Sequence, residues 1–97
     1  MAAAQSVSTD VGMTFEVVVD SNPSTGCQWI PHFEPGKLRL HRKVHMPASF
    51  KAGTSGVDVF VFEAMAPGQT QVRLEQKRAW ETTPVRYKTI TVHVGIG

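Results

Sequence analysis

One cysteine, Cys27, is all the chain holds in 97 residues. No internal disulfide can form, and no zinc site can be built from several cysteines. The fold must stand on its hydrophobic core, and a lone thiol fits either redox compartment. No stretch approaches the ~18 consecutive apolar residues of a spanning helix. The start, Met1-Ala2-Ala3-Ala4-Gln5, lacks both a charged opening and an apolar run. It does not read as a signal peptide, and a soluble chain is expected. Charge of one sign is also scarce, with a formal net charge of +2. Nucleic-acid binding calls for a basic stripe with interleaved aromatics. The basic cluster Lys37, Arg39, His41, Arg42 and Lys43 shares a strand-like run with Leu38, Leu40 and Val44. Clean alternation there predicts the wet face of a strand. No repeat, linker or amphipathic helix is evident. The length predicts one domain over 1–97, with a single core and no second lobe to form a deep cleft.

What is present is period-two alternation, punctuated by Gly or Pro every eight to twelve residues. That spacing predicts an all-β sandwich or barrel. Phe15, Val17 and Val19 share one face of the run from Thr14 to Asp20. Cys27 to Ile30 and Lys37 to Val44 follow. Val57 to Ala64, rich in β-branched and aromatic residues, predicts a central strand. Val72 and Leu74 point inward in Thr70 to Gln76, as do Ile90, Val92 and Val94 in Arg86 to Val94. Gln5 to Thr9 can add an edge strand, and Met46 to Phe50 a short turn or 3₁₀ segment. About seven strands in two facing layers match an immunoglobulin-like β-sandwich. Trp29 then fits the buried tryptophan of such a core.

The connections differ in kind. Asp10-Val11-Gly12, Glu34-Pro35-Gly36 and Ala66-Pro67-Gly68 are plain tight turns. The others carry unusual residues: Asn22-Pro23-Ser24-Thr25-Gly26-Cys27, Lys51-Ala52-Gly53-Thr54-Ser55-Gly56, and Lys77 to Pro84 with Trp80 in it. The two kinds alternate along the chain. Where strands run up and down, every second loop lies at the same end. Parity alone therefore gathers the three unusual loops on one surface, as in a binding module. Pro23 restricts Asn22 to extended geometry, and the Asn, Ser and Thr side chains can bond nearby backbone. Gly26 permits a left-handed turn. Gly53 to Gly56 lets backbone approach a partner closely. Trp80, flanked by Arg78 and Glu81, is of a type enriched in binding hot spots. Each feature also has a plainer reading: a well-made strand connection, a loop tip, or a tryptophan folded over its own hairpin.

Together the three segments resemble the chagasin-type inhibitors of papain-like cysteine peptidases. That family has a first loop N-P-T-T-G-aromatic, a second loop G-x-G-G and a third loop R-P-W. Here they stand as Asn22-Pro23-Ser24-Thr25-Gly26, Gly53-Thr54-Ser55-Gly56 and Arg78-Ala79-Trp80, with Trp29 at the family's tryptophan. The resemblance spans roughly Val11 to Val94. The chain departs from the pattern at Cys27, in place of an aromatic, at Ser55, in place of glycine, and at Ala79, in place of proline. Each departure can retune which peptidase is preferred. The resemblance implies a monomeric, reversible, non-covalent inhibitor with no cofactor. The first loop would enter the active-site cleft, with Thr25 and Gly26 near the catalytic pair, and the other two loops would clasp its sides.

Other readings of the same residues remain. Cys27 with His32, His41, His45 and His93 suggests a thiol nucleophile. The chain is too short for a papain-like fold, so no enzyme is expected. His41 and His45 lie across a strand end, where a spacing of four does not share a face as it would on a helix. Cys27 could couple oxidation to dimerisation if exposed, or serve as a small hydrophobe if buried. An immunoglobulin-like adhesion or scaffolding domain is the alternative function.

Overall fold

The structure, a computed structural model, describes residues 5–21, 26–47, 56–78 and 80–96. Seven strands follow in order: β1 (Gln5–Asp10), β2 (Thr14–Ser21), β3 (Cys27–His32), β4 (Leu38–Pro47), β5 (Gly56–Ala64), β6 (Gly68–Arg78) and β7 (Arg86–Gly95). They form a four-stranded sheet, β1-β7-β6-β3, and a three-stranded sheet, β2-β5-β4. Every pairing is antiparallel except β1 with β7. There is no helix among the described residues. The all-β, immunoglobulin-like expectation holds, and the N-terminal stretch does form the edge strand.

The core follows from alternation. In β2 every second residue from Phe15 to Ser21 is buried. Facing it, Val72, Leu74, Ile90 and Val92 are fully buried on β6 and β7. Phe62 sits at the centre, stacked on Phe15 at 5.6 Å and met edge-on by Phe33 at 5.2 Å. Strand β5 is the middle strand of its sheet, as its composition predicts. It is buried on both faces, because Val59 on the outer side is flanked in register by Val18 and Val44. Burying such a side chain contributes about 1.5–3 kcal/mol.

Strand β4 corrects one expectation. Its alternation is not clean, because the register with β5 shifts between Leu40 and Arg42. A bulge inserts one residue and inverts which side chains face inward beyond it. Leu38 and Leu40 oppose Ala64 and Phe62 on the core face. Past the bulge, Lys43 and His45 take that parity, opposite Phe60 and Asp58. Val44 is thereby moved to the outer face and is exposed. Lys43 keeps its stem on apolar surface, with Nζ 5.4 Å from the centre of the Phe60 ring. Met46 and Pro47 continue the strand rather than starting a turn. Residues 48–50 lie outside the described residues.

Candidate functional site

The strand ends sort into two groups. In the three-stranded sheet, Ser21 and Pro47 both oppose Gly56. In the four-stranded sheet, Cys27 opposes Arg78, and Gln76 opposes Arg86. These residues bound the three unusual loops. The two sheets are tied together at this end by Trp29, whose indole Nε1 donates to the Asp20 carbonyl at 2.7 Å. The plain turns meet at the opposite end. There Gly12 N donates to Ala64 O at 2.9 Å, and Met65 N donates to Lys37 O at 2.8 Å. Thr70 Oγ1 donates to Glu34 Oε1 at 2.8 Å in the same region. The parity expectation is therefore met by the stems of all three loops. Asn22, Pro23, Ser24, Thr25, Gly53, Thr54, Ser55 and Ala79 lie outside the described residues.

The described site residues can be placed one by one. Gly26 has φ of 75°, the left-handed conformation expected for it. A β-carbon there would sit 3.7 Å from Trp80 Cη2, an ordinary contact. The backbone angle, not crowding, is what demands glycine, since a side chain in that region costs about 1–2 kcal/mol. The same measurement places the Trp80 ring beside the base of the first loop. Trp80 is nonetheless 75% exposed, far more than a tryptophan held by its own hairpin would be. Cys27 is half-buried, so neither of its two extreme readings applies outright.

Arg78 braces the third loop. Its Nη1 donates to Glu81 Oε1 at 2.8 Å, while Glu81 N donates to Arg78 O at 3.1 Å. Its guanidinium pKa is raised above the usual value, first by the hydrogen bond to Glu81 and then by the charges of Cys27 and Glu81. The tryptophan between them stands on a turn closed by both backbone and side chain.

Sequence reasoning missed a layer of polar residues just beneath this end. Asp58 and Gln76 are buried at inward positions. His45 Nδ1 lies 2.8 Å from Asp58 Oδ1, with Lys43 Nζ 3.8 Å from Oδ2. Arg86 Nε donates to Gln76 Oε1 at 2.7 Å, and its guanidinium lies 5.2 Å from the Trp29 ring. Each buried side-chain polar atom among the described residues has a partner. The available signal was a charged or amide residue at an inward parity in an otherwise apolar strand. A shallow recess lined by His32, Glu34, Gln71 and Arg73 lies away from this layer. Its lining acid, Glu34, is already engaged by Thr70, and His32 on its rim lies 3.2 Å from Glu75. No group of three or more His, Cys, Asp or Glu side chains among the described residues is arranged to hold a metal ion.

The chain is an all-β sandwich with a largely exposed tryptophan at the end that carries its unusual loops. The comparisons with known proteins say which kind. The model of the chagasin family, peptidase inhibitor I42, matches residues 8–94, and the chain belongs to that family. It is an inhibitor and not an enzyme. No curated protein matches it. Among solved structures it is similar to the cysteine protease inhibitor EhICP2 from Entamoeba histolytica. That match has 21% identity and a TM-score of 0.78, covering 96% of this chain and 86% of that one. It is also similar to amebosin in its solution structure, with 20% identity and a TM-score of 0.70, covering 97% and 100% of the two chains. At such identities the likeness carries the fold.

Proposed function

We propose that this chagasin-family inhibitor blocks papain-like, cathepsin-like cysteine peptidases as a monomer. It does so reversibly, by closing the active-site cleft with three loops. Inhibition of cysteine peptidases is the activity of its family. The loop residues and the mode of action are our reading. Asn22 to Gly26 form the wedge, with Cys27 at its base. Gly53 to Gly56 make the second contact, and Arg78, Ala79 and Trp80 the third. No bond is made or broken by this chain.

One observation carries the reading: the stems of all three loops meet at one end, where a largely exposed Trp80 stands beside Gly26. Three separated loops can together cover about 800 Å² per partner, the usual size of an inhibitor complex. A braced loop loses little conformational freedom on docking, which favours affinity.

The test is a titration of papain activity at fixed substrate. Nanomolar inhibition with the added protein recovered uncleaved is expected. No inhibition of papain or of a panel of cathepsin-like enzymes at micromolar protein would overturn the proposal.

A further inference from the structure

We infer that each inhibitory loop is held at its neck by a dedicated side-chain hydrogen bond, and that these three bonds position the loops for the peptidase. The inference rests on the three-loop reading above. Trp29 Nε1 to Asp20 O, at 2.7 Å, joins the strands on either side of residues 22–25. His45 Nδ1 to Asp58 Oδ1, at 2.8 Å, joins those on either side of residues 48–55. Arg86 Nε to Gln76 Oε1, at 2.7 Å, joins those on either side of residues 79–85. Each bonded residue lies within four residues of its loop. The plain turns are closed by backbone bonds, as in Met13 N to Asp10 O and Lys37 N to Glu34 O, both at 3.0 Å; the side-chain bonds of Glu34 and Lys37 run to β6 and do not join the two strands of their own turn.

The physical need differs from loop to loop. Strands β2 and β3 belong to different sheets, so no backbone ladder can join them. Facing sheets stand about 10 Å apart, and only a long side chain with a terminal donor spans that gap. Trp29 is that side chain. The other two necks already have ladders, and there the polar pair fixes the spacing of the last rungs. Trp29, Gln76 and Arg86 are also consecutive in register across β3, β6 and β7. The first and third loops are thereby coupled through one row, which the Arg86–Trp29 contact completes. Burying Asp58 and Gln76 gives up apolar core at these positions. Apolar residues would pack there without partners, and satisfied polar networks rigidify what they join.

The experiment compares five variants of the full chain with the parent. Trp29→Phe, His45→Leu and Arg86→Met each cut one neck bond. Gln76→Glu keeps an acceptor for Arg86. Thr70→Val cuts a hydrogen bond at the turn end. Inhibition constants against papain, thermal midpoints and amide exchange of the free protein are measured for all. Each cut is expected to weaken inhibition about five- to tenfold, the worth of one well-placed hydrogen bond. Gln76→Glu and Thr70→Val should retain parental inhibition, even where Thr70→Val lowers the midpoint as much as the cuts do. Amide exchange should rise in the loop whose neck was cut. Should His45→Leu fail to fold, His45→Leu with Asp58→Leu removes both partners and leaves no buried charge. Cut variants that inhibit as the parent does, or that lose no more inhibition than Thr70→Val does for an equal drop in midpoint, would overturn the inference. If the parent inhibits no peptidase, the proposed function fails instead. The neck bonds are then judged by exchange alone, and unchanged exchange in the cut variants overturns them.

Discussion

The two ends of this sandwich are built by different means. At the turn end, short connections are closed by backbone hydrogen bonds, and the side-chain bonds of Thr70 to Glu34 and Lys37 to the Gln69 carbonyl both run from the turn after β3 to β6. At the loop end, buried polar side chains on inward positions secure the strands that carry the loops. The difference teaches where function places its demands. A turn needs only to reverse the chain. A recognition loop must also be held at a set distance from its neighbours, and backbone pairing within one sheet does not reach across to the other.

The largest expected effect that separates the ends belongs to Trp80. Its ring is mostly in solvent, so Trp80→Ala should barely move the thermal midpoint. As a hot-spot tryptophan its loss should weaken binding by about 2–4 kcal/mol, or about 30- to 700-fold. Titration of a cysteine peptidase checks this, and unchanged affinity removes Trp80 from the site.

A sharper comparison uses the same backbone feature at both ends. Gly26 and Gly68 have φ of 75° and 118°, and neither crowds a β-carbon below 3.7 Å. Replacing either by alanine should cost stability of about 1–2 kcal/mol, read from urea unfolding. Only Gly26→Ala should also weaken inhibition, since Gly26 bounds the wedge. Equal inhibition by both variants would erase the functional distinction between the ends.

Next in size is a change confined to the core layer at the turn end. Thr70→Val leaves the shape intact and removes one hydrogen bond, so about 0.5–1.5 kcal/mol of stability should be lost. The inhibition constant measured well below the midpoint should not change.

The smallest effect is expected at the Arg78–Glu81 brace, whose side chains are half-buried at the surface. Glu81→Gln removes its charge. Inhibition should weaken slightly at low ionic strength, and the difference should vanish in high salt as screening takes over. A difference that persists in molar salt would mean that Glu81 acts through something other than charge.

Much of this was legible beforehand. Phe15, Val17 and Val19 recur at every second position, and so do Ile90, Val92 and Val94; a period of two has one structural meaning. Gly26 announced a left-handed turn because few other residues adopt one. The order of loops and turns needed only counting. The bulge at Leu40 and Arg42 was not legible, since nothing in Leu40-His41-Arg42 distinguishes an extra residue from ordinary alternation. The partners of Asp58, Gln76 and Trp29 were equally hidden. Their hydrogen bonds span 13, 10 and 9 residues, and each depends on which strands become neighbours.

By itself, then, the sequence determined the strands, their inward faces, the parity of the connections and the motifs that carry family membership. These are properties of short segments, set by side-chain period and by the torsional limits of glycine and proline. Only the tertiary structure decided which strands share a sheet, where β4 slips its register, and that Trp29 crosses from one sheet to the other to hold Asp20. Those facts depend on contacts between distant segments, and such contacts exist only once the two sheets have closed on a common core.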